Sequence, residues 1–114
     1  MVRQMKQYRV VVTSDADWDM DGIFDYVSEE LQVPETACRL IERIYKALNS
    51  LSSMPERYPL SRDAFLAQQG FRLMSVENYL AFYVIDKTAG RVIIHRVLYG
   101  KRDYIKLFLA NDSK

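Results

Sequence analysis

Four side chains in the C-terminal half of this sequence could carry out chemistry together. Arg72, Arg96 and Arg102 are cations able to hold phosphate. Tyr104 can stack on a base or move a proton. Metal-free RNA cleavage needs no more than such a set. The 2′-hydroxyl is the nucleophile, a side chain removes its proton, and cations hold the scissile phosphate and the charge that builds on it. The plainer alternative is that Lys101, Arg102 and Asp103 form a charged turn with an internal ion pair, and chemistry alone favours that alternative.

Other chemistries find no support. One His and one Cys cannot build a Cys/His zinc site. There is no Gly-rich phosphate loop and no G-x-S-x-G elbow. Asp15, Asp17, Asp19 and Asp21 suggest a calcium loop, but counting from Asp17 the twelfth position is Ser28 where a Glu is needed. Negative charge at a helix N-terminus explains these residues better. His95 lies in an apolar run and reads as a half-buried residue bonded to backbone. Cys38 reads as inert packing. Trp18 is either core or a surface anchor. No metal and no cofactor are expected.

The elements that would position the four residues are legible from periodicity. Tyr8–Thr13 is β-branched and short, a strand. Thr13 or Ser14 can cap a helix whose apolar positions Ala16, Met20, Ile23, Phe24, Val27 and Leu31 recur at helical spacing. Gln32-Val33 break it, and Pro34 suits the first position of a second helix with Ala37, Leu40, Ile41, Ile44, Tyr45, Leu48 and Leu51 on one stripe. Residues 52–70 read as loop, with one helical turn at Asp63–Gln68. Three strands follow: Phe71–Val76, Tyr79–Ile85 and Arg91–Tyr99. Asp103–Leu109 is a short terminal helix. The expected fold class is α+β, a small antiparallel sheet packed against an α-helical hairpin in the order β-α-α-β-β-β plus the terminal helix.

In Arg91–Tyr99 both parities are mostly apolar, so the sheet is expected to have an open face that awaits a partner. The 114 residues suit one domain, 1–114, with 1–6 and 110–114 frayed. The net charge of +1 hides an asymmetry: 8 Lys+Arg against 11 Asp+Glu in residues 1–69, and 8 against 4 in residues 70–114. A basic sheet region suits an anionic partner. No membrane segment and no secretory signal are expected, and a single cysteine fits a reducing cytoplasm.

Y-R-V-V-V-T at the first strand, I-F-D-Y-V-S-E-E-L in the first helix and L-x-S-M-P-E-R after the second carry a family resemblance. F-R-L-M-S-V-E-N-Y-L-A-F-Y-V-I-D and V-I-I-H-R-V-L-Y-G-K-R-D-Y extend it to about Phe108. The sequence resembles the RelE/ParE superfamily of bacterial type II toxin–antitoxin toxins. The resemblance implies a cytoplasmic toxin of a plasmid-stabilisation module, held by a cognate antitoxin. RelE-like members cleave mRNA on the ribosome, whereas ParE-like members inhibit DNA gyrase. RelE carries an Arg in its middle strand, and here Leu80 stands in that place. Gly100-Lys101-Arg102 matches a RelE element, and Tyr104 matches its Tyr more loosely.

The reading taken from sequence is therefore a toxin that arrests growth by ribosome-dependent mRNA cleavage. Arg72, Arg96, Arg102 and Tyr104 form its site, and its partners are an antitoxin and the ribosome with its mRNA. The alternatives are a gyrase inhibitor without nuclease chemistry, and a degenerate toxin that only binds antitoxin. An acidic antitoxin tail is expected to meet Arg96, Lys101 and Arg102.

Overall fold

The structure, a computed structural model, describes residues 6–100. The expected terminal helix at Asp103–Leu109, and with it Lys101, Arg102 and Tyr104, lies outside the described residues, as do residues 1–5 and 110–114 of the expected frayed ends.

Strand β1 (Arg9–Val12) leads into helix α1 (Ser14–Leu31), followed by α2 (Pro34–Asn49). Two 3₁₀ turns (Ser50–Ser52 and Pro55–Arg57) and the short helix α3 (Ala64–Gln68) precede the strands β2 (Arg72–Val76), β3 (Tyr79–Asp86) and β4 (Arg91–Tyr99). The four strands form one sheet in the order β1-β4-β3-β2.

The expected antiparallel meander is present in β2, β3 and β4. The sheet as a whole is mixed, because β1 joins β4 in parallel, Arg9 opposite Arg91 through Val12 opposite Ile94. Parallel neighbours need a crossover between them, and the α1–α2 hairpin is part of that connection.

Local chemistry accounts for the helix ends. Thr13 Oγ1 accepts from the Ala16 amide at 3.1 Å and also donates to the His95 carbonyl at 3.1 Å. One residue thus caps α1 and ties it to β4. Gln32 ends α1 in a left-handed conformation, φ 54°. Pro34 occupies the start of α2, where a missing amide costs nothing. Asp63 caps α3, its Oδ1 accepting from the Leu66 amide at 3.0 Å.

The main core lies between the hairpin and one face of the sheet. It packs Ala16, Met20, Ile23, Leu40, Ile44 and Leu48 against Met74, Ala81, Tyr83, Val92, Ile94 and Val97. Leu40, Ile44 and Leu48 are buried as their stripe demands, while Phe24 and Val27 are only half-buried.

The other face does not lie open as the strand pattern suggests. Leu66 of α3 packs there against Phe71, Phe82 and Leu98 in a second, smaller core. The confusing parity of β4 has a mechanical cause. The β3–β4 register shifts so that Phe82 opposes Arg96 while Tyr83 opposes Ile94, leaving His95 as an extra residue. Such a bulge reverses which parity faces which side. Val92 and Ile94 before it, and Val97 after it, all reach the main core, and Leu98 reaches the small one.

Candidate functional site

Two of the four sequence-derived residues can be placed, and they are not brought together. Arg72 stands opposite Tyr83 in the sheet, which puts it on the parity of Met74 and Val76, the main-core face. Its Nη1 donates to the carbonyl oxygen of Tyr58 at 2.6 Å and of Glu56 at 3.4 Å. Arg96 lies on β4, with β3 between the two. Its guanidinium forks onto Asp19 of α1, Nε to Oδ2 at 2.7 Å and Nη2 to Oδ1 at 2.8 Å.

The Asp19 carboxylate also accepts from the Val97 amide at 2.9 Å. The reason for this contact is topological. β1 ends at Val12, so beyond Ile94 the outer edge of β4 has no strand beside it. Thr13 takes the first exposed groups of that edge and Asp19 takes the Val97 amide, so α1 does the work of the missing strand. The Arg96 and Asp19 side chains are only 15% and 12% exposed. A charge pair so enclosed needs this bidentate geometry to offset desolvation.

The L-x-S-M-P-E-R motif performs similar structural work. Arg57 Nη1 donates to the carbonyls of Ser53 at 2.6 Å and Met54 at 3.2 Å, and its Nη2 donates to Ser50 Oγ at 2.8 Å. Met54 sits at φ 49°, a left-handed conformation this gathering of carbonyls holds in place. The Tyr83 hydroxyl donates to the Pro55 carbonyl at 2.6 Å. Burial pushes the Tyr83 phenol up to about 12. Burial, then the hydrogen bond to Asp17, does the same to Tyr45, and burial raises Tyr79 as well. Phenols shifted upward are poor proton acceptors at neutral pH.

His95 stacks edge-on against Phe71 at 5.1 Å, and its carbonyl is used by Thr13. Leu80 packs beside the small core. Among the described residues, the arginines singled out by sequence therefore bind carbonyls or a carboxylate of their own chain.

A surface that the sequence reading missed lies elsewhere. A groove of about 650 Å³ runs between α1 and the paired ends of β3 and β4, lined by Trp18, Gly22, Tyr26, Tyr79, Val97 and Tyr99 among others. Trp18 and Tyr26 are 76% and 64% exposed, which settles Trp18 as a surface residue. Tyr79 and Tyr99 meet edge-on at 5.8 Å at its floor. Trp18, Gly22 and Tyr26 follow one another at a spacing of four, hence along one face of the helix. That spacing was available in the sequence; the sheet end that turns the face into a groove was not.

The electrostatics of this surface follow the acidic excess of the N-terminal part of the sequence. Helix α1 contains seven acidic residues and no Lys or Arg. Asp17 and Asp19 are used by Tyr45 and Arg96. Asp15, Asp21, Asp25 and Glu29 are exposed. The expected meeting of an acidic antitoxin tail with Arg96 is thus disfavoured, because Arg96 is already paired and the helix beside it is negative. Lys101 and Arg102, the other residues of that expectation, lie outside the described residues.

A helical hairpin lies over one face of a four-stranded mixed sheet. Two solved structures share it. One is the chromosomal ParDE toxin–antitoxin system from P. aeruginosa, with a TM-score of 0.68 and 20% identity over 82% of this chain and 97% of that one. The other is the RelBE2 toxin–antitoxin complex from Mycobacterium tuberculosis, with a TM-score of 0.58 and 23% identity over 86% of this chain and 97% of that one. At these identities the likeness speaks for the fold. No curated protein matches the chain. The model of the ParE toxin of type II toxin–antitoxin system, parDE, matches residues 10–104, and the chain belongs to that family. Among the described residues no helix is long and apolar enough to cross a membrane.

Proposed function

We propose that this toxin, a single domain over residues 1–114, arrests growth in the cytoplasm by binding a protein target through its surface, as a gyrase inhibitor without nuclease chemistry. An antitoxin, encoded beside it, restrains it. The observation that carries this reading is the engagement of Arg72 and Arg96. Their guanidinium groups are held by the Tyr58 and Glu56 carbonyls and by Asp19, and Leu80 stands where a RelE-type site has its strand arginine. A phosphate arriving at Arg96 would have to displace a bidentate carboxylate in an enclosed site, and its own negative charge would face α1. The mRNA-cleavage reading is left to rest on Arg102 and Tyr104. Two neighbours in fold bear the names of toxin–antitoxin systems, which supports the antitoxin partner.

Two assays run in parallel test this. Purified toxin should inhibit supercoiling of relaxed plasmid by gyrase, and primer extension on a transcript from arrested cells should show no new ends within translated codons. Codon-positioned cuts with unimpaired supercoiling would replace this reading by ribosome-dependent cleavage.

A further inference from the structure

The aromatic groove lies at one end of the sheet, and the opposite end has a different chemistry. The β3–β4 turn and the start of β1 meet there, with the loop after α2 beside them. Arg9 stands opposite Arg91 in the parallel pair, and the Arg9 amide donates to the Gly90 carbonyl at 2.9 Å. Lys6 reaches the turn, its Nζ donating to the Lys87 carbonyl at 3.2 Å. Lys87 in turn meets Glu56 at 3.3 Å, on the loop whose carbonyls Arg57 and Arg72 hold. Six cations are thereby gathered at one end of the molecule.

Little of this charge is cancelled. Glu56 pairs with Lys87, and Asp86 pairs with Arg91 at 3.2 Å. Arg57 and Arg72 are held by neutral carbonyls, which orient a guanidinium without removing its charge. Among the described residues no carboxylate pairs with Lys6 or Arg9, and both are exposed. The fold gains nothing from setting Arg9 against Arg91, since like charges on neighbouring strands repel. Such a pair serves an anion that both can reach.

The form of the patch selects among anions. Single-stranded nucleic acid is held by exposed rings that stack on its bases. The rings that these cations cover are Tyr8 under Lys6 and Tyr58 under Arg57, at 5.0 and 5.1 Å. Tyr8 is buried and Tyr58 half-buried, and the exposed Trp18, Tyr26 and Tyr99 line the groove at the other end. Charge without stacking rings suits the backbone of a duplex, whose bases stay paired. The acidic helix α1 would repel that duplex, but it leaves the sheet after Val12, at the end of β1 away from Arg9.

We propose that this basic end of the sheet, with Arg9, Arg91, Lys6 and Lys87 in the lead, lies on the phosphate backbone of duplex DNA without reading its sequence. The proposal rests on the gyrase reading above and adds that the toxin meets its target on DNA: the enzyme takes one part of its surface, and the DNA that the enzyme carries takes the basic end.

The probe is a short fluorescein-labelled duplex of mixed sequence, followed by anisotropy with the full-length toxin. The wild-type toxin should bind it with an affinity that falls steeply as salt rises and is indifferent to sequence. Arg9→Glu with Lys87→Gln should weaken binding by roughly tenfold or more at low salt and reduce the slope of log affinity against log salt by roughly two. The thermal midpoint should not fall, because Arg9→Glu turns a repulsive pair across β1 and β4 into an attractive one. Arg39→Glu with Arg43→Gln makes the same change in net charge on α2, where Arg43 reaches Glu77 in the β2–β3 turn at the other end, and should keep most of the affinity. Supercoiling of relaxed plasmid by gyrase is measured with the same proteins, and the Arg9 variant should inhibit it roughly tenfold less well. Absence of wild-type duplex binding, or equal binding by the two double variants, overturns the DNA proposal, and inhibition of supercoiling in that case leaves the gyrase reading standing. Tighter binding to a labelled single-stranded RNA of the same length overturns it too. A loss of affinity for DNA-free gyrase in place of the duplex assigns this end to an acidic protein surface and also overturns it. Duplex binding with the stated losses but no inhibition of supercoiling upholds the DNA surface and removes the gyrase reading.

Discussion

On its helix side the sheet sets Tyr83, Val92, Ile94 and Val97 against Met20, Ile44 and Leu48, from two helices of 18 and 16 residues. On its other side, Leu66 from a five-residue helix meets Phe71, Phe82 and Leu98. The first core is roofed by long elements that start at the Thr13 cap and at Pro34 in the first turn of α2. The second is roofed by a segment whose position depends on polar anchors: Asp63 on Leu66, and Ser61 donating its amide to the Phe71 carbonyl at 2.8 Å. Arg72, at the start of the strand beneath, in turn holds the Tyr58 and Glu56 carbonyls upstream of them. The difference accounts for Arg72, whose guanidinium steadies the segment leading to the second layer through backbone carbonyls, a task its fixed donors suit. Arg96 is taken up on the other side, by Asp19 of the long helix α1.

The largest test of this contrast is Ile44→Asp. Ile44 is fully buried in the main core. An unpaired carboxylate there costs several kcal/mol, comparable to the whole stability of a domain this size. No cooperative melt by circular dichroism is expected, and a folded, cooperatively melting Ile44→Asp protein would break the assignment of the main core.

Leu66→Ala probes the weaker side. Removing a buried leucine there should cost about 2 kcal/mol, the low end for such truncations, because a five-residue helix can settle into part of the space. A denaturant titration should show a lower midpoint with an unchanged slope. A loss as severe as that of Ile44→Asp would mean the two cores form one inseparable unit.

A smaller effect is set by pH. The Tyr83 phenol is raised to about 12 by burial, against an ordinary value of 10.0. The unfolded chain therefore loses this proton first as pH rises. The contribution is fully present below pH 10 and is lost progressively as pH climbs towards about 12, by up to about 1.4 kcal/mol per pH unit for one group. Tyr83→Phe should lower stability at neutral pH, since the bond to Pro55 is lost, and should flatten the decline above pH 10 relative to the parent. Parallel curves for the two proteins would remove Tyr83 from the alkaline transition.

Much of the architecture could be read from periodicity. The stripes of α1 and α2, Pro34 at the start of α2, the Asp63 turn and the limits of β4 all stand close to where the pattern put them. What escaped is non-local. Nothing near Tyr8–Val12 in sequence says that its neighbour is β4 and that the pairing is parallel. The bulge at His95 has no residue signature such as glycine, yet together with the second core it makes both parities of β4 look apolar. The Asp19–Arg96 pair joins residues 77 positions apart, so a strand arginine free in the sequence is committed in the fold. Arg57 belongs to the L-x-S-M-P-E-R stretch, and its work on the Ser53 and Met54 carbonyls becomes visible once the turn is closed.

That Arg96 is a brace for α1 and β4 rather than a phosphate ligand is tested most directly by the double variant Asp19→Asn with Arg96→Gln. The neutral pair keeps an acceptor for the Val97 amide and removes the charge a phosphate would need. Growth arrest on induction, measured together with a cooperative thermal melt of the purified double variant, is the readout. Folded protein that still arrests growth is the expected result; folded protein that no longer does so would return Arg96 to the active chemistry and contradict the structural role assigned to it.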